Sequence, residues 1–393
     1  MLTFYIKLMT NKSIYRHSKR VLILAVLIGT SSFSLTLDEK INSYISQMSL
    51  QEKMEQTSRN DYMSTYSNER LSIPGFLTND GPHGVRAAAL PWIDYATSFP
   101  LPIGMAAMWD REMWYQTGVA MGEEFQAFDI DVALGPSMDL SHNPQNGRSG
   151  ETAGEDPYLA SQFATATVQG IQSTPVIATI KHYSGVNRQN YRHDSDIKIR
   201  EDQLMDHYGY HYRKAIQEGG AMAVMTSYNL LNGVHTAEYD LTINQILKNR
   251  WGHPFLVMTD WWSVYNTANT INAGNDLCMG STHYEDELVG LVQSGSVTEA
   301  TLNSAVHRIL KTKMLSGMMD DNYPEPRTEM ANTVAHQLLA RKGDTKSIIL
   351  LKNSTNILPL PKNKKIALIG PSTEMARTNI GGSSNLWTPY TVG

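Results

Sequence analysis

Six short apolar runs, several of them closing on a polar cluster, alternate along this chain with helix-like stretches, and no other feature restricts the fold as tightly. FLTND (76–80), LPIGM (101–105), DVALGP (131–136), VIATIK (176–181), MAVMTSYN (222–229) and FLVMTD (255–260) read as strands. Helical spacing fills 111–127, 157–172, 198–218, 240–250 and 262–273, with further helices at 38–57, 285–294 and 299–316. Strands that alternate with helices build parallel βαβ units. Six such units within roughly 280 residues fit a (β/α)8-type TIM barrel better than an open sheet. The expected fold class is therefore α/β, with the barrel over residues 37–316.

The flanks read differently. Residues 1–36 have signal-peptide order: a basic region with Lys12, Arg16, Lys19 and Arg20, the apolar run VLILAVLIG (21–29), then Thr30 to Ser34. That run is short for a bilayer, so the expected location is periplasmic or extracellular, with an uncleaved anchor as the alternative. No later segment is apolar enough to span. Residues 317–345, with Pro324 and Pro326, read as a linker. SIILLKN (347–353) and KIALIGP (365–371) are strand-like, and IGGSSNLWTPY (380–390) is a glycine-serine loop. Residues 346–393 are thus expected to open a second α/β domain that the chain stops too early to finish.

Hydrophobic residues make up 41% and charged residues 18%, an ordinary globular balance. The net charge of −5, with no basic block after the N-terminal segment, argues against a nucleic-acid partner. Cys278 is the single cysteine, so no intramolecular disulfide forms. The chain has no phosphate-binding glycine motif and no metal spacing of the HExxH kind. No cofactor and no metal are expected.

The strand ends carry the chemistry. Asp260 closes FLVMTD and precedes Trp261 and Trp262. It caps the next helix or serves a site, since barrel strands present catalytic groups at their C-terminal ends. Asp80 lies on the turn of DGPHGVR, where a local hydrogen-bonding role competes with ligand binding. In NGRSGETAGEDPYLA (146–160), Arg148 reads as ligand-facing and Glu151, Glu155 and Asp156 as structural, with Asp156–Pro157 starting a helix. Lys181 and His182 end the strand VIATIK, where a twist can bring both to the pocket mouth, and Arg192 follows in the loop. Tyr228 and Met225 end MAVMTSYN. His193 and Asp194 read as surface groups, Asp276 as structural and Cys278 as buried. Many donors, two carboxylates and an indole suit a neutral, hydroxyl-rich ligand such as a sugar. A carboxylate ringed by cations stays ionised, as a glycosidase nucleophile must.

From about residue 40 to the end, the chain resembles glycoside hydrolase family 3, most closely its β-glucosidase-like branch. The resemblance rests on DGPHGVR, GRSGETAGEDPYLA, KHY followed by Arg192, MTSYNLLNG, TDWW and AGNDLCMG, in the family's order. It implies a barrel followed by an αβα sandwich domain. It implies that Asp260 is the nucleophile and that Asp80, Arg148, Lys181, His182, Arg192 and Tyr228 bind the sugar, with Met225 beside them and Trp261 as an aromatic wall. Tyr183 stands where phenylalanine is usual, and Gly280 where proline is common. The resemblance also implies an acid/base glutamate on the second domain, beyond residue 393, so this chain alone is expected to be a poor catalyst. The expected activity is retaining exo-hydrolysis of terminal β-D-glucosyl residues of a β-glucoside or oligosaccharide. A β-xylosidase, a sugar-binding or inactive fragment, and a Schiff-base aldolase using Lys181 are the alternatives.

Overall fold

Short β-branched and alanine-containing runs form the centre of the fold, because strands covered on both faces bury every side chain. The structure, a computed structural model, describes residues 35–86, 92–93, 95–186, 188–370, 373 and 381–386. The basic and apolar stretches expected to form a targeting segment lie outside the described residues. Helices α1 (Leu37–Gln47) and α2 (Leu50–Gln56) precede β1 (Thr78–Asp80). Then come α3 (Pro102–Ala107), α4 (Arg111–Ala127), β2 (Val132–Leu134), α5 (Pro157–Ile171) and β3 (Ile177–Tyr183). The central sheet runs β1-β2-β3-β5-β8, all parallel, with β5 at Ala223–Thr226 and β8 at Leu256–Met258. Thr78 faces Val132, Val132 faces Ile177, and Ala223 faces Leu256.

The sheet does not end at β8. Met258 bridges Leu277, Cys278 bridges Ser58, and Ser64 bridges Leu77 in the antiparallel sense. Backbone bonds follow the same path, from Thr259 N to Leu277 O (3.0 Å), Cys278 N to Thr57 O (3.0 Å) and Thr78 N to Met63 O (2.8 Å). The two edges of the sheet are thereby joined, which leaves few open strand edges. The result is a TIM-barrel-like α/β fold in which five strands are regular and the closing positions are bridges. A side sheet of β4 (Asp196–Ile197), β6 (Leu230–Leu231) and β7 (Val234–His235) lies among the loops after β3 and β5.

Local chemistry sets the helix starts. Ser49 and Glu52 form a capping box at α2. Asp110 accepts from Met113 N at α4, and Asp156 accepts from Tyr158 N and Leu159 N at α5, with Pro157 next. Each such cap contributes about 1 kcal/mol.

Several expected elements take another form. LPIGM is not a strand: Pro102 sits at the first position of α3, where its fixed φ suits a helix start. The helix expected at 198–218 is divided into α6 (Glu201–Gln203), a π-helical turn (Leu204–Tyr208) and α7 (Tyr210–Gln217). It breaks at Gly209, against which the Trp251 ring packs so closely that a Cβ would lie 2.9 Å from it. Residues Leu241–Arg250 are π-helical, and only Thr267–Asn272 (α8) of 262–273 is helical, starting at the Asn266 cap. The segment 273–280 supplies bridges rather than a strand. Helices α9 (His283–Gln293) and α10 (Glu299–Leu315) follow. The linker stretch contains the start of α11 (Val334–Ser347), and residues 348–370 form no strand. Their apolar side chains stand in solvent, with Leu351 92% and Ile369 91% exposed, because no facing layer covers them among the described residues.

At the N-terminal end of the barrel, α10 buries Lys313 completely. Its Nζ donates to Gln56 Oε1 at 3.1 Å and lies 4.7 Å from the Phe76 ring centre. Burial pushes the ammonium down to about 7, against the opposing pull of Asp131. Between about pH 7 and 10.5 the unfolded chain holds a proton that the folded chain has released, so stability rises with pH across that window. Urea unfolding of wild type is expected to show a gain of about 3 kcal/mol from pH 7 to 9.5 from this group. Lys313→Met removes that gain; an unchanged pH slope in the variant refutes the assignment.

Candidate active site

The C-terminal ends of β1, β3, β5 and β8 open into one cavity of about 350 Å³. Asp80, Arg148, Lys181, His182, Arg192, Met225, Tyr228, Asp260 and Trp261 all line it. Thus every residue expected at the site lies there, although Met225 and Trp261 present little surface and double as core.

Adjacent residues on a strand face opposite ways, yet Lys181 and His182 both reach the cavity. The pairing of β3 with β5 shifts register between Ile180 and Tyr183, and that irregularity re-aims the two side chains. Lys181 Nζ donates to Asp80 Oδ1 at 2.7 Å, and Arg86 Nη1 to Asp80 Oδ2 at 3.0 Å. Burial raises the Asp80 carboxyl, but Lys181, Arg86 and Arg148 more than offset it and hold the group below the usual carboxylate range.

His182 is held from behind. Asp139 Oδ2 lies 2.7 Å from His182 Nδ1, and Asp139 Oδ1 accepts from the His182 backbone N–H at 3.2 Å. With Nδ1 so engaged, Nε2 faces the cavity, 3.1 Å from Arg148 Nη1 and 3.5 Å from Asp260 Oδ2. Arg148 in turn donates through Nη2 to Glu151 Oε2 at 2.6 Å. Burial pushes Glu151 up, and Arg148, Lys181 and Ser383 bring it below its ordinary value. Ser383 and Ser384 also bond to Glu151, so the glycine-serine segment docks on the barrel mouth.

Asp260 lies two residues beyond β8 and is 6% exposed. Its Oδ1 accepts from Tyr228 OH at 2.8 Å and from the Trp261 N–H at 2.7 Å. Its Oδ2 accepts no hydrogen bond although it is buried. A buried carboxylate oxygen without a donor is rare enough to require a reason. The Arg192 guanidinium lies 3.8 Å over the Tyr228 ring. His193, expected on the surface, is half-buried instead. Its ring lies 4.5 Å from that of Tyr228, and its Nδ1 is 2.8 Å from Tyr265 OH.

Trp261 donates Nε1–H to Tyr62 O at 2.9 Å. Trp262 takes a φ of 61°, uncommon for a bulky residue, and stands 55% exposed with its ring 6.1 Å from that of Tyr62. Gly280 has φ 72°, which proline cannot adopt, and a Cβ there would lie 2.6 Å from Trp261 Cα. Close packing against Trp261 therefore accounts for glycine at this position. Asp276 is structural as expected, paired with Lys248 and Arg308.

Sequence reasoning missed Asp139, Arg86, Tyr62 and the docking of Ser383. Asp139 follows β2 by five residues, the strand-then-polar pattern seen elsewhere, and that was its available signal. Tyr62 and Ser383 come from segments with no strand pattern.

Carboxylates and cations face one another across the mouth of a parallel barrel with aromatic rings at the rim, an arrangement able to hydrogen-bond several hydroxyls at once. Residues 26–312 match the model of the glycosyl hydrolase family 3 N terminal domain. The thermostable beta-glucosidase B of Acetivibrio thermocellus is 36% identical over 357 residues, covering 88% of this chain and 46% of that protein. A beta-glucosidase of Rhizobium radiobacter is 34% identical, over 90% of this chain and 43% of its own length. The structure of beta-glucosidase 3B from Thermotoga neapolitana in complex with glucose superposes with a TM-score of 0.83 at 29% identity, over 90% of this chain and 53% of that one. The chain belongs to glycosyl hydrolase family 3. It spans about half the length of the relatives it matches.

Asp80→Ala leaves the buried Lys181 ammonium without its carboxylate, and urea unfolding is expected to show a loss of about 3 kcal/mol. Adding Lys181→Met should recover most of it. Additive losses in the double variant would mean that the two side chains do not act as a pair.

Proposed function

We propose that this chain supplies the nucleophile and sugar-binding half of a retaining β-glucosidase, acting on terminal β-D-glucosyl residues. The observation that carries the reading is the asymmetry of Asp260: Oδ1 is held by two donors, while Oδ2 is buried, free of hydrogen bonds and at the cavity. An oxygen left without donors keeps its lone pairs for attack. In this scheme Oδ2 bonds to the anomeric carbon as the glycosidic oxygen leaves with a proton. Water then cleaves the glycosyl-Asp260 ester, and the two inversions retain configuration. Asp80, Lys181, His182, Arg148 and Arg192 bind the sugar hydroxyls, with Trp261 against its apolar face. The names of the relatives support glucose as the sugar.

Asp80 and Glu151 are both held ionised by cations, so neither is suited to protonate a leaving group. We place the acid/base outside the described residues. Lys181 is engaged by Asp80 in an ion pair, which speaks against a Schiff-base role.

A dinitrophenyl β-glucoside tests the assignment, because its leaving group needs little protonation. Asp260→Ala is expected to lower turnover by about three orders of magnitude or more. Azide should restore it, with a glycosyl azide of inverted anomeric configuration as product. Near-normal turnover in Asp260→Ala, or rescue in Asp80→Ala instead, would sink the reading.

We also infer export, from the basic-then-apolar order of residues 12–29. Mass spectrometry of the protein from its native cell should find a mature N-terminus close to residue 35. An intact Met1 on soluble cytoplasmic protein refutes it.

A further inference from the structure

Away from the cavity, two histidines 65 positions apart meet at the surface. His142 lies in the loop after β2, between Asp139 and Arg148, and His207 lies in the π-helical turn Leu204–Tyr208. Their Nε2 atoms are 2.9 Å apart. The rings are within 24° of parallel and their centres 4.9 Å apart, so Nε2 is the atom each presents to the other. Tyr208 packs edge-on against both rings, at 5.7 Å and 5.1 Å, and fixes their orientation.

We propose that His142 and His207 form a binding site for a late first-row divalent cation, Zn2+, Ni2+ or Cu2+, held through the two Nε2 atoms with water completing its coordination. Imidazole is the side-chain ligand best matched to these ions. Two nitrogens at about 2.0–2.1 Å from one ion stand about 2.9 Å apart in neighbouring positions of a tetragonal field, and about 3.4 Å apart in a tetrahedral one. The observed separation therefore matches the first with only a small turn of each ring toward the ion, and the second with a further shift of a few tenths of an ångström.

The neighbourhood favours a cation. The Glu155 carboxylate acts on His142 through space, and Asp206 lines the groove beside His207; Asp202 lines it too but is paired with Arg200, and Lys198 opposes them. Among the described residues no third His, Cys, Asp or Glu closes the site, so at least two positions are left to solvent. In the empty pair one Nε2 carries the proton shared with the other. Binding needs both neutral rings in the Nδ1–H tautomer, which moves that proton without losing it.

The test is calorimetric titration of the untagged full chain with NiCl2 and ZnCl2 at about pH 7.5. One ion per chain is expected, with His142→Ala and His207→Ala each weakening binding about a hundredfold, since each breaks the chelate. His283→Ala, at a surface histidine elsewhere, should bind as wild type does. If either alanine variant unfolds, the Cu2+ spectrum of wild type decides, where two equivalent imidazole nitrogens should split the electron resonance. No specific binding by wild type, equal binding by His207→Ala, or a copper spectrum without the two-nitrogen pattern overturns the site. The pair is then an imidazole–imidazole hydrogen bond only.

Discussion

A carboxylate removed from water loses several kcal/mol of hydration, and the mouth of this barrel removes four of them, three lining the cavity and one behind its wall. Three are answered from another strand or its loop, and Glu151 from its own loop and from the glycine-serine segment. Asp80 at the end of β1 is answered by Lys181 on β3, Asp139 after β2 by His182, Glu151 by Arg148 and two serines, and Asp260 after β8 by Tyr228 after β5. The Asp80, Asp139 and Asp260 contacts cross between strands, so they fix the spacing of the strand ends as well as their charge. The register irregularity in β3 belongs to the same arrangement, because without it Lys181 and His182 could not both serve Asp80 and Asp139.

That interdependence separates what the sequence reveals from what it hides. Strand ends announce themselves by an apolar run that stops on a polar residue, so Asp80, Lys181, His182, Tyr228 and Asp260 are all legible. Asp139 follows the same rule at a greater distance from its strand, and its role depends on a partner 43 positions away. No local pattern encodes that partner. His193 reads as a surface group for the same reason: its burial comes from Tyr228 and Tyr265, which are remote in sequence. The unbonded Oδ2 of Asp260 is a property of three-dimensional placement alone.

The fold is legible where propensity and packing agree. α4 and α5, each with an aspartate cap, follow their sequence periodicity closely. Periodicity misleads where a single residue overrides it. Pro102 turns an apolar run into a helix start, and the contact between Gly209 and Trp251 breaks a long helix. The barrel closure is least visible, since Ser58, Ser64 and Cys278 join the sheet through single bridges with no strand signature.

The clasp between the glycine-serine segment and the barrel has a thermodynamic corollary. Glu151 accepts from Ser383 and Ser384 while it orients Arg148, and Arg148 also touches Ser383 at 3.1 Å. Docking of residues 381–386 and placement of the Arg148 guanidinium are thus two faces of one equilibrium. Whatever free energy a bound anion or sugar gains from the ordered guanidinium, the segment gains in affinity for the barrel, because such coupling is reciprocal. Occupancy of the cavity and retention of the segment should therefore rise and fall together, which makes the glycine-serine segment an internal reporter of ligation.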